Sequence, residues 1–184
     1  PVVGVDQQVP GAQQGEIRLR DVVAVLEDSE GVLWLGMSSG GLCRFQNGAL
    51  LQFRRENGLS SDSVRCLHLD PDDTLWIGTS GGGINRLKNG RFTSIGRKQG
   101  LHNGIICDIQ DDGCGFFWLS SHGGIMRVNK AELDRCADGE LSAIHCTTYG
   151  ISDGMPTLEC SSGLQPAGCR TGDGRLWFPT TKGL

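Results

Sequence analysis

Short apolar runs alternate with polar, glycine-rich turns along most of the chain. In the stretch 62–97, apolar and polar residues alternate in "SVRCLHL", "TLWIGTS", "INRLK" and "RFTSIG", separated by "DPDD", "GGG" and "NG". Alternation with a period of two predicts half-buried strands, and the stretch shows no helical period. Asn-Gly between two apolar runs is a strong signal for a two-residue hairpin. The stretch therefore predicts four short antiparallel strands.

The same unit recurs along the chain, and one tryptophan marks each copy. Trp34, Trp76 and Trp118 are spaced 42 residues apart, and Trp177 follows after a longer interval of 59 residues. Each of the first three has an aspartate six residues before it and an arginine in the following strand: Asp28, Asp70, Asp112, Arg44, Arg86 and Arg127. A repeated unit of this length indicates one structural module that stacks on its neighbours.

A lone four-stranded sheet cannot bury both of its faces, so the copies must pack against each other. Four strands in roughly 40–45 residues are typical of a β-propeller blade. We therefore predict an all-β fold, a β-propeller with antiparallel blades of about 42 residues, in which each tryptophan fills the space between neighbouring blades. The predicted partial propeller domain, 1–184, is an incomplete ring of three to four blades at approximately 20–57, 62–97, 104–149 and 164–184.

The longer third interval predicts an insertion at 129–143, after Val128. Asn129 is a good helix N-cap and helix formers follow it, so we expect a short helical turn over 130–136 and a delayed fourth strand in "SAIHCTTY". A long glycine- and proline-containing loop then covers 150–168. Long loops on rigid scaffolds often bind ligands, but this one could equally cover an edge of the ring.

Composition limits the classes of partner. The chain of 184 residues has 29 glycines and a net charge of −4, from 17 basic and 21 acidic residues. This charge makes nucleic acid an unexpected partner. No apolar run reaches the roughly 20 residues that span a bilayer, and the first residues lack the pattern of a signal peptide. Because the chain lacks an initiator Met and ends within a repeat, we expect it to be part of a longer protein.

The eight cysteines leave two interpretations open. No C-x-x-C motif occurs, so a zinc site is not expected. We also expect no other metal and no cofactor. Cys43, Cys66 and Cys107 fall in predicted strands, where cysteine serves as a small buried hydrophobe. The alternative is disulfide formation in an oxidising compartment, for which Cys136–Cys146 and Cys160–Cys169 are the candidate pairs.

Candidate chemistry is sparse. A catalytic residue is needed once, so the recurring aspartates more plausibly accept backbone N–H bonds in their turns, and the recurring arginines are interpreted as structural. The spacing of the four histidines assigns no Ser-His-Asp or Cys-His arrangement, so no catalytic residue is expected. His68 and His145 fall in predicted strands, His102 in a link, and His122 in a hairpin turn where earlier copies have Ser or Gly.

Ligand-binding residues should instead break the repeat. The links between blades differ from one another: they read "GLSSDS", "GLHNGI" and "GISDGMPTLECSS". Their polar side chains could hydrogen-bond sugar hydroxyls. The candidate ligand-binding residues are Ser61, Asp62, His102, Asn103, Asp153 and Glu159.

Three stretches resemble two-component regulator propeller repeats: "EDSEGVLWLGMSSGGLCRF", "DPDDTLWIGTSGGGINRL" and "DDGCGFFWLSSHGGIMRV". They follow the pattern D-x-x-G-x-L-W-x-G-T-x-x-G-G-L-x-R, although "GCGFFW" departs from it. The end, "YGISDGMPTLECSSGLQPAGCRTGDGRLWFPTTKGL", is similar to the last blades of such propellers, before a small β-sandwich domain. The resemblance covers roughly residues 20–184.

The resemblance implies a sensor module. Such propellers form the extracytoplasmic part of membrane-bound bacterial sensor histidine kinases, often hybrid ones, and some in gut bacteria sense oligosaccharides. It implies a periplasmic or extracytoplasmic location, an oligosaccharide or other small ligand, and a homodimer in the parent receptor. The family's propellers have about seven blades, and its kinase segments have no counterpart here, so this chain is not expected to be an enzyme or to insert into the membrane.

Two alternatives remain open from the sequence. One is a propeller lyase resembling streptogramin lyase, whose blades read D-G-x-L-W-F and which "GDGRLWFPT" matches. Such a lyase would need a metal-bound histidine and acid pair near the axis. The other is a scaffold propeller that binds only protein.

Overall fold

A computed structural model describes residues 21–163 and 165–183. Three four-stranded antiparallel sheets follow one another, each with its strands in chain order. The first sheet comprises β1 (Val22–Glu27), β2 (Leu33–Met37), β3 (Gly41–Gln46) and β4 (Ala49–Phe53). The second comprises β5 (Val64–Leu69), β6 (Leu75–Thr79), β7 (Ile84–Lys88) and β8 (Arg91–Ile95). The third comprises β9 (Asp108–Asp111), β10 (Phe116–Ser121), β11 (Gly124–Asn129) and β12 (Cys146–Tyr149).

The remaining elements are short. A two-stranded sheet, β13 (Cys169–Arg170) and β14 (Leu176–Trp177), begins a fourth blade. One α-helix, α1 (Lys130–Ala137), lies in the predicted insertion, and 3-10 turns occupy Arg55–Asn57, Arg97–Gln99 and Ile151–Asp153. The predicted all-β propeller with four-stranded antiparallel blades in an incomplete ring is confirmed. His145 lies just before β12 rather than in a strand.

Two of the blades close with the hairpin that the sequence indicates. Asn47-Gly48 and Asn89-Gly90 both adopt left-handed backbone conformations, with φ between 50° and 77°. This pair of positive φ values matches the right-handed twist of the flanking strands, and Asn and Gly tolerate it best. In the third blade, α1 replaces this hairpin between β11 and β12.

Apolar side chains pack between neighbouring sheets. One buried cluster joins the first and second blades and includes Trp34, Phe53 and Ile77. A second joins the second and third blades and includes Trp76 and Phe117, whose ring centroids lie 5.5 Å apart in an edge-to-face arrangement. Trp34 and Trp76 are 9% and 0% exposed, so both lie between blades, the position that the repeat predicts.

Each of these tryptophans is also held by the aspartate six residues before it. The indole Nε1–H donates to the Oδ2 of Asp28, Asp70 and Asp112 at 2.8, 2.9 and 3.2 Å in the three blades. In the first blade, Asp28 Oδ1 also accepts the backbone N–H groups of Glu30 and Val32 in the turn. A buried indole N–H needs such a partner, because leaving it unpaired is costly.

The copies differ where the repeat is interrupted. Asp70 Oδ1 accepts hydrogen bonds from the Lys130 ammonium (2.5 Å) and from His68, instead of the turn N–H bonds expected of it. Trp118 is only half-buried and stacks on Tyr149 with centroids 5.2 Å apart. Trp177 is 40% exposed, because the described fourth blade contributes only two short strands.

Helix α1 covers the outer side of the interface between the second and third blades. Asn129 Oδ1 accepts the Glu132 backbone N–H, which caps the helix N-terminus. Leu133 is fully buried in the second apolar cluster. Arg86, on β7, donates to the carboxylates of Asp134 (2.8 Å) and Asp138. The insertion is therefore part of the blade packing.

We expect the buried indole hydrogen bond to contribute more stability than the half-exposed one. Trp76→Phe removes the N–H donor to Asp70 and should lower the free energy of unfolding by about 1–3 kcal/mol, because a buried polar group loses its partner. Trp118→Phe is the matched control and should cost less, since water can replace the lost donor. Urea denaturation of the two variants checks this order, and an equal loss in both would contradict the assignment.

Candidate ligand-binding face

The links between blades run past the hairpin turns that join the second and third strands of each sheet. A glycine N–H at each of these turns donates to a link carbonyl: Gly41 to Asp62 (2.7 Å), Gly83 to Gly104 (2.8 Å) and Gly124 to Leu158 (2.7 Å). These bonds hold all three links at one end of the sheets. We call this end the link face.

Each link begins with the same capped turn, and Asp153 is part of it. Its carboxylate accepts the Gly150 N–H at 2.9 Å. Asn57 and Gln99 accept the equivalent backbone N–H groups in the two earlier links. Asp153 therefore has a structural task that recurs in every link, and its role towards a ligand stays a prediction.

Three other predicted residues hold the links in place. Ser61 Oγ donates to the Ser80 carbonyl at 3.2 Å, and Asp62 Oδ1 accepts the Arg55 N–H at 2.9 Å. Asn103 Oδ1 accepts the Ile105 N–H at 2.9 Å. All three are half-buried, so each retains some exposed surface.

The last two predicted residues are exposed. His102 makes no side-chain hydrogen bond to the described residues, and the Glu159 carboxylate makes none either, although the Glu159 backbone bonds Thr157 and Thr181. A role for either in binding stays a prediction, because nothing in the described residues brings the six predicted side chains together.

The structure brings together a different set of polar groups on the link face. Arg65 Nη1 donates to Ser162 Oγ at 2.6 Å, and Nη2 lies 3.4 Å from Ser80 Oγ. His122 Nε2 lies 3.3 Å from the same Ser162 Oγ. We call Arg65, Ser80, His122 and Ser162 the inner polar cluster. It joins the inner strand of the second blade, two hairpin turns and the long loop.

Repeat-breaking residues in the sequence point to this cluster. Arg65 lies on β5 at the position equivalent to Val23 in the first blade and to Cys107, just before β9, in the third. His122 replaces Ser38 and Ser80 of the earlier turns. The position of Ser162 had no such signal, because the long loop has no counterpart in the earlier copies.

The long loop also covers the open inner edges of two blades. The Gln165 side chain donates to the Leu67 carbonyl at 2.8 Å and accepts the Leu67 N–H at 3.0 Å, as a neighbouring strand would. The Gln165 N–H donates to the Val23 carbonyl at 2.9 Å. The loop therefore bonds the inner strands of two blades, while ligand binding by the loop and its covering of an edge of the ring both stay predictions.

The electrostatics of the inner strands are unusual. Arg65 has no carboxylate partner in the described chain, and its buried Nε lacks a hydrogen-bond partner there. Asp108, on β9, is 2% exposed, and burial raises the pKa of its carboxyl despite a bond from Gln110. Among the described residues, the Arg65 guanidinium therefore bonds hydroxyl groups and no carboxylate.

One group of potential metal ligands lies among the described residues: His68, Asp70 and Asp111. The Lys130 ammonium donates to Asp70 and Asp111 at 2.5 and 2.6 Å, so the chain supplies its own cation at this place. Burial alone would raise the pKa of Asp70, but hydrogen bonds from His68, Lys130 and Trp76 outweigh it and lower this pKa to about 2. The group is an ion-paired contact between blades.

All eight cysteines are free thiols in the structure. Cys43, Cys66 and Cys107 are buried, the environment predicted for small apolar residues. Burial raises the pKa of Cys43 and of Cys107 to about 11, which makes both poor nucleophiles. Among the described residues, no helix combines the length and the apolar character that a membrane span requires.

Comparison with known proteins supports the repeat assignment. Residues 58–81 match the model for the two component regulator propeller. The predicted resemblance to the two-component regulator propeller repeat is thus confirmed. No curated protein matches the chain in sequence.

Solved structures share the fold. The chain is 23% identical to the extracellular domain of a hybrid two component system from B. thetaiotaomicron, with a TM-score of 0.70 over 89% of this chain and 21% of that one. The chain is 21% identical to the extracellular domain of a one component system from the same organism, with a TM-score of 0.72 over 89% of this chain and 23% of that one. The chain therefore spans about a fifth of these structures.

A virginiamycin B lyase from Staphylococcus aureus is also similar in fold. It is 14% identical, with a TM-score of 0.56 over 91% of this chain and 52% of that chain. At this level of identity, the likeness concerns the propeller architecture alone.

We expect acid to weaken the contact between the second and third blades through Asp70. The pKa of Asp70 is lower in the folded state, so its stabilisation is present above pH 4 and is lost as the pH falls towards 2. Wild type should lose about 2 kcal/mol of unfolding free energy from this group across that window. Asp70→Asn should show a smaller loss in urea titrations at pH 6, 4, 3 and 2.

Asp72→Asn is the matched control for this acid effect, because Asp72 pairs with Lys88 at the surface, where solvent screens the charge. Its acid-induced loss should stay close to that of wild type. If Asp70→Asn loses as much unfolding free energy on acidification as wild type does, the role of Asp70 is contradicted.

Proposed function

We propose that this chain is a non-catalytic ligand-sensing part of the extracytoplasmic propeller of a bacterial two-component receptor. The observation that carries the proposal is the inner polar cluster, in which two residues that break the repeat, Arg65 and His122, meet Ser162 on the link face. The propeller repeat and the similar folds of extracellular receptor domains support the same class.

The chemistry of the inner polar cluster suits a ligand rich in hydroxyl groups. Arg65 offers donors without a competing carboxylate, and Ser80, His122 and Ser162 offer further donors and acceptors. Such groups recognise hydroxyl or acidic substituents by directional hydrogen bonds. We propose an oligosaccharide as the ligand class. The predicted residues Ser61 and Asn103 lie in the links at the same face.

Signalling requires that the ligand distinguish two receptor arrangements. We propose that the parent receptor is a homodimer outside the cytoplasm, and that a ligand on the link face favours one arrangement of its two chains. The ligand can shift this equilibrium only by its difference in affinity for the two states.

The geometry does not favour catalysis by the Ser162–His122 pair. A serine nucleophile needs a base that a third group orients, and His122 makes no other hydrogen bond to the described residues. Ser162 Oγ instead accepts a hydrogen bond from Arg65. The likeness to the lyase concerns the fold, so we do not propose lyase activity.

Arg65→Gln is expected to weaken ligand binding while keeping the fold. A glycan array identifies oligosaccharides that bind the 184-residue chain, and thermal shift then ranks them. A bound glycan at 100 times its Kd should add about 2.7 kcal/mol of stability to wild type, and the variant should bind at least tenfold more weakly.

Arg97→Gln is the matched control, since Arg97 is exposed in a link and lies outside the inner polar cluster. It should bind as wild type does. If no glycan binds, or if Arg65→Gln binds a glycan as tightly as Arg97→Gln, the proposed site is wrong.

A further inference from the structure

The recurring arginines provide an internal comparison at three equivalent positions. Arg44, Arg86 and Arg127 each pair across the hairpin with the repeat tryptophan of their blade. Directly paired residues point to the same face of a sheet, so each arginine lies beside its tryptophan. Differences in what the arginines contact therefore reflect what covers each blade.

Two of these arginines have a charged or aromatic partner within the chain, although the buried Nε of each lacks a hydrogen-bond partner among the described residues. Arg86 binds the carboxylates of Asp134, on α1, and of Asp138, the residue that caps the C-terminus of α1. The guanidinium of Arg127 stacks over the Phe116 ring at 3.6 Å. In contrast, Arg44 has no carboxylate or aromatic partner among the described residues, and its guanidinium donates to the neutral Gln46 side-chain oxygen.

The space beside Arg44 is open. A cleft of about 270 Å³ lies between the first and second blades, with Trp34, Leu51, Phe53 and Leu75 in its apolar wall. It occupies the interface equivalent to the one that α1 covers, because the second blade has an Asn-Gly hairpin where the third has the helix. The cleft thus has an arginine and an apolar lining equivalent to those that α1 contacts one blade later, with Trp34, Phe53 and Leu75 at most 9% exposed.

The acidic groups at this cleft are mostly engaged. Asp28 accepts the indole and two backbone N–H groups, Asp72 pairs with Lys88 at 2.9 Å, and Asp73 accepts the Ser29 hydroxyl at 2.8 Å. Glu30, also at the cleft, is exposed. A ligand with acidic groups for Arg44 and one cation for this acidic side would match the charges.

Helix α1 shows such a charge pattern. Its Lys130 binds Asp70, its Leu133 is buried, and its two aspartates bind Arg86. We propose that the cleft between the first two blades docks an acidic helical segment of a partner protein. This segment places an apolar residue between the blades and carboxylates on Arg44, with a lysine one turn towards its N-terminus. The proposal concerns a second site and goes beyond ligand sensing on the link face.

The probe is a capped synthetic peptide of residues 129–141 with Cys136→Ser, added to the ¹⁵N-labelled 184-residue chain. We expect saturable shifts of the Trp34 indole resonance in NMR spectra, without comparable shifts of Trp76. A peptide with Asp134→Asn and Asp138→Asn should bind at least tenfold more weakly, because charge-assisted bonds to Arg44 are lost.

Arg44→Gln should weaken binding by a similar factor, and Arg97→Gln should leave it unchanged. The altered peptide keeps the test valid even if Arg44→Gln perturbs the fold. The proposal is overturned if the Trp34 indole does not respond, if both peptides bind equally, or if Trp76 responds instead. If glucuronate shifts the Trp34 indole resonance and the peptide does not, the cleft binds acidic sugars and the peptide assignment is overturned.

Discussion

The rest of the structure depends on a buried indole held by a carboxylate. The aspartate six residues earlier accepts the indole N–H and fixes the plane of the ring. The ring then fills the space between two sheets whose faces could not be buried otherwise. Because the bond lies within one blade, each blade presents a prepared apolar face to the next one. This explains how a short unit with many glycines can build a stable interface by repetition.

Departures from the repeat are concentrated on the link face and at α1. Residues that recur at the same position in every blade pack the blades together. A residue that occurs in only one blade can make other contacts. Arg65 illustrates this: its equivalents are Val23 and Cys107, yet it lies on an inner strand and bonds the long loop. Asp108 also breaks the repeat, because the equivalent positions in the first and second blades hold Ala24 and Cys66. Such positions can vary while the interfaces between blades stay the same.

Insertion α1 shows how one blade can modify an interface. It supplies Leu133 to the apolar cluster and four charged contacts, through Lys130, Asp134 and Asp138, to residues of the second and third blades. Its lysine donates to both aspartates of the His-Asp-Asp group. The interface between the first and second blades has no such insertion, so it is the more open of the two.

The sequence by itself determined the strands, the blade period and the positions of Trp34 and Trp76, because these follow from local alternation and from a repeat that is visible in the letters. It also indicated α1 through the Asn129 cap. Only the tertiary structure decided which polar residues meet. Ser162 reaches Arg65, 97 residues away, and Lys130 reaches Asp70, 60 residues away, because a long loop and an insertion cross between blades. Such contacts leave no periodic signal, since each occurs once.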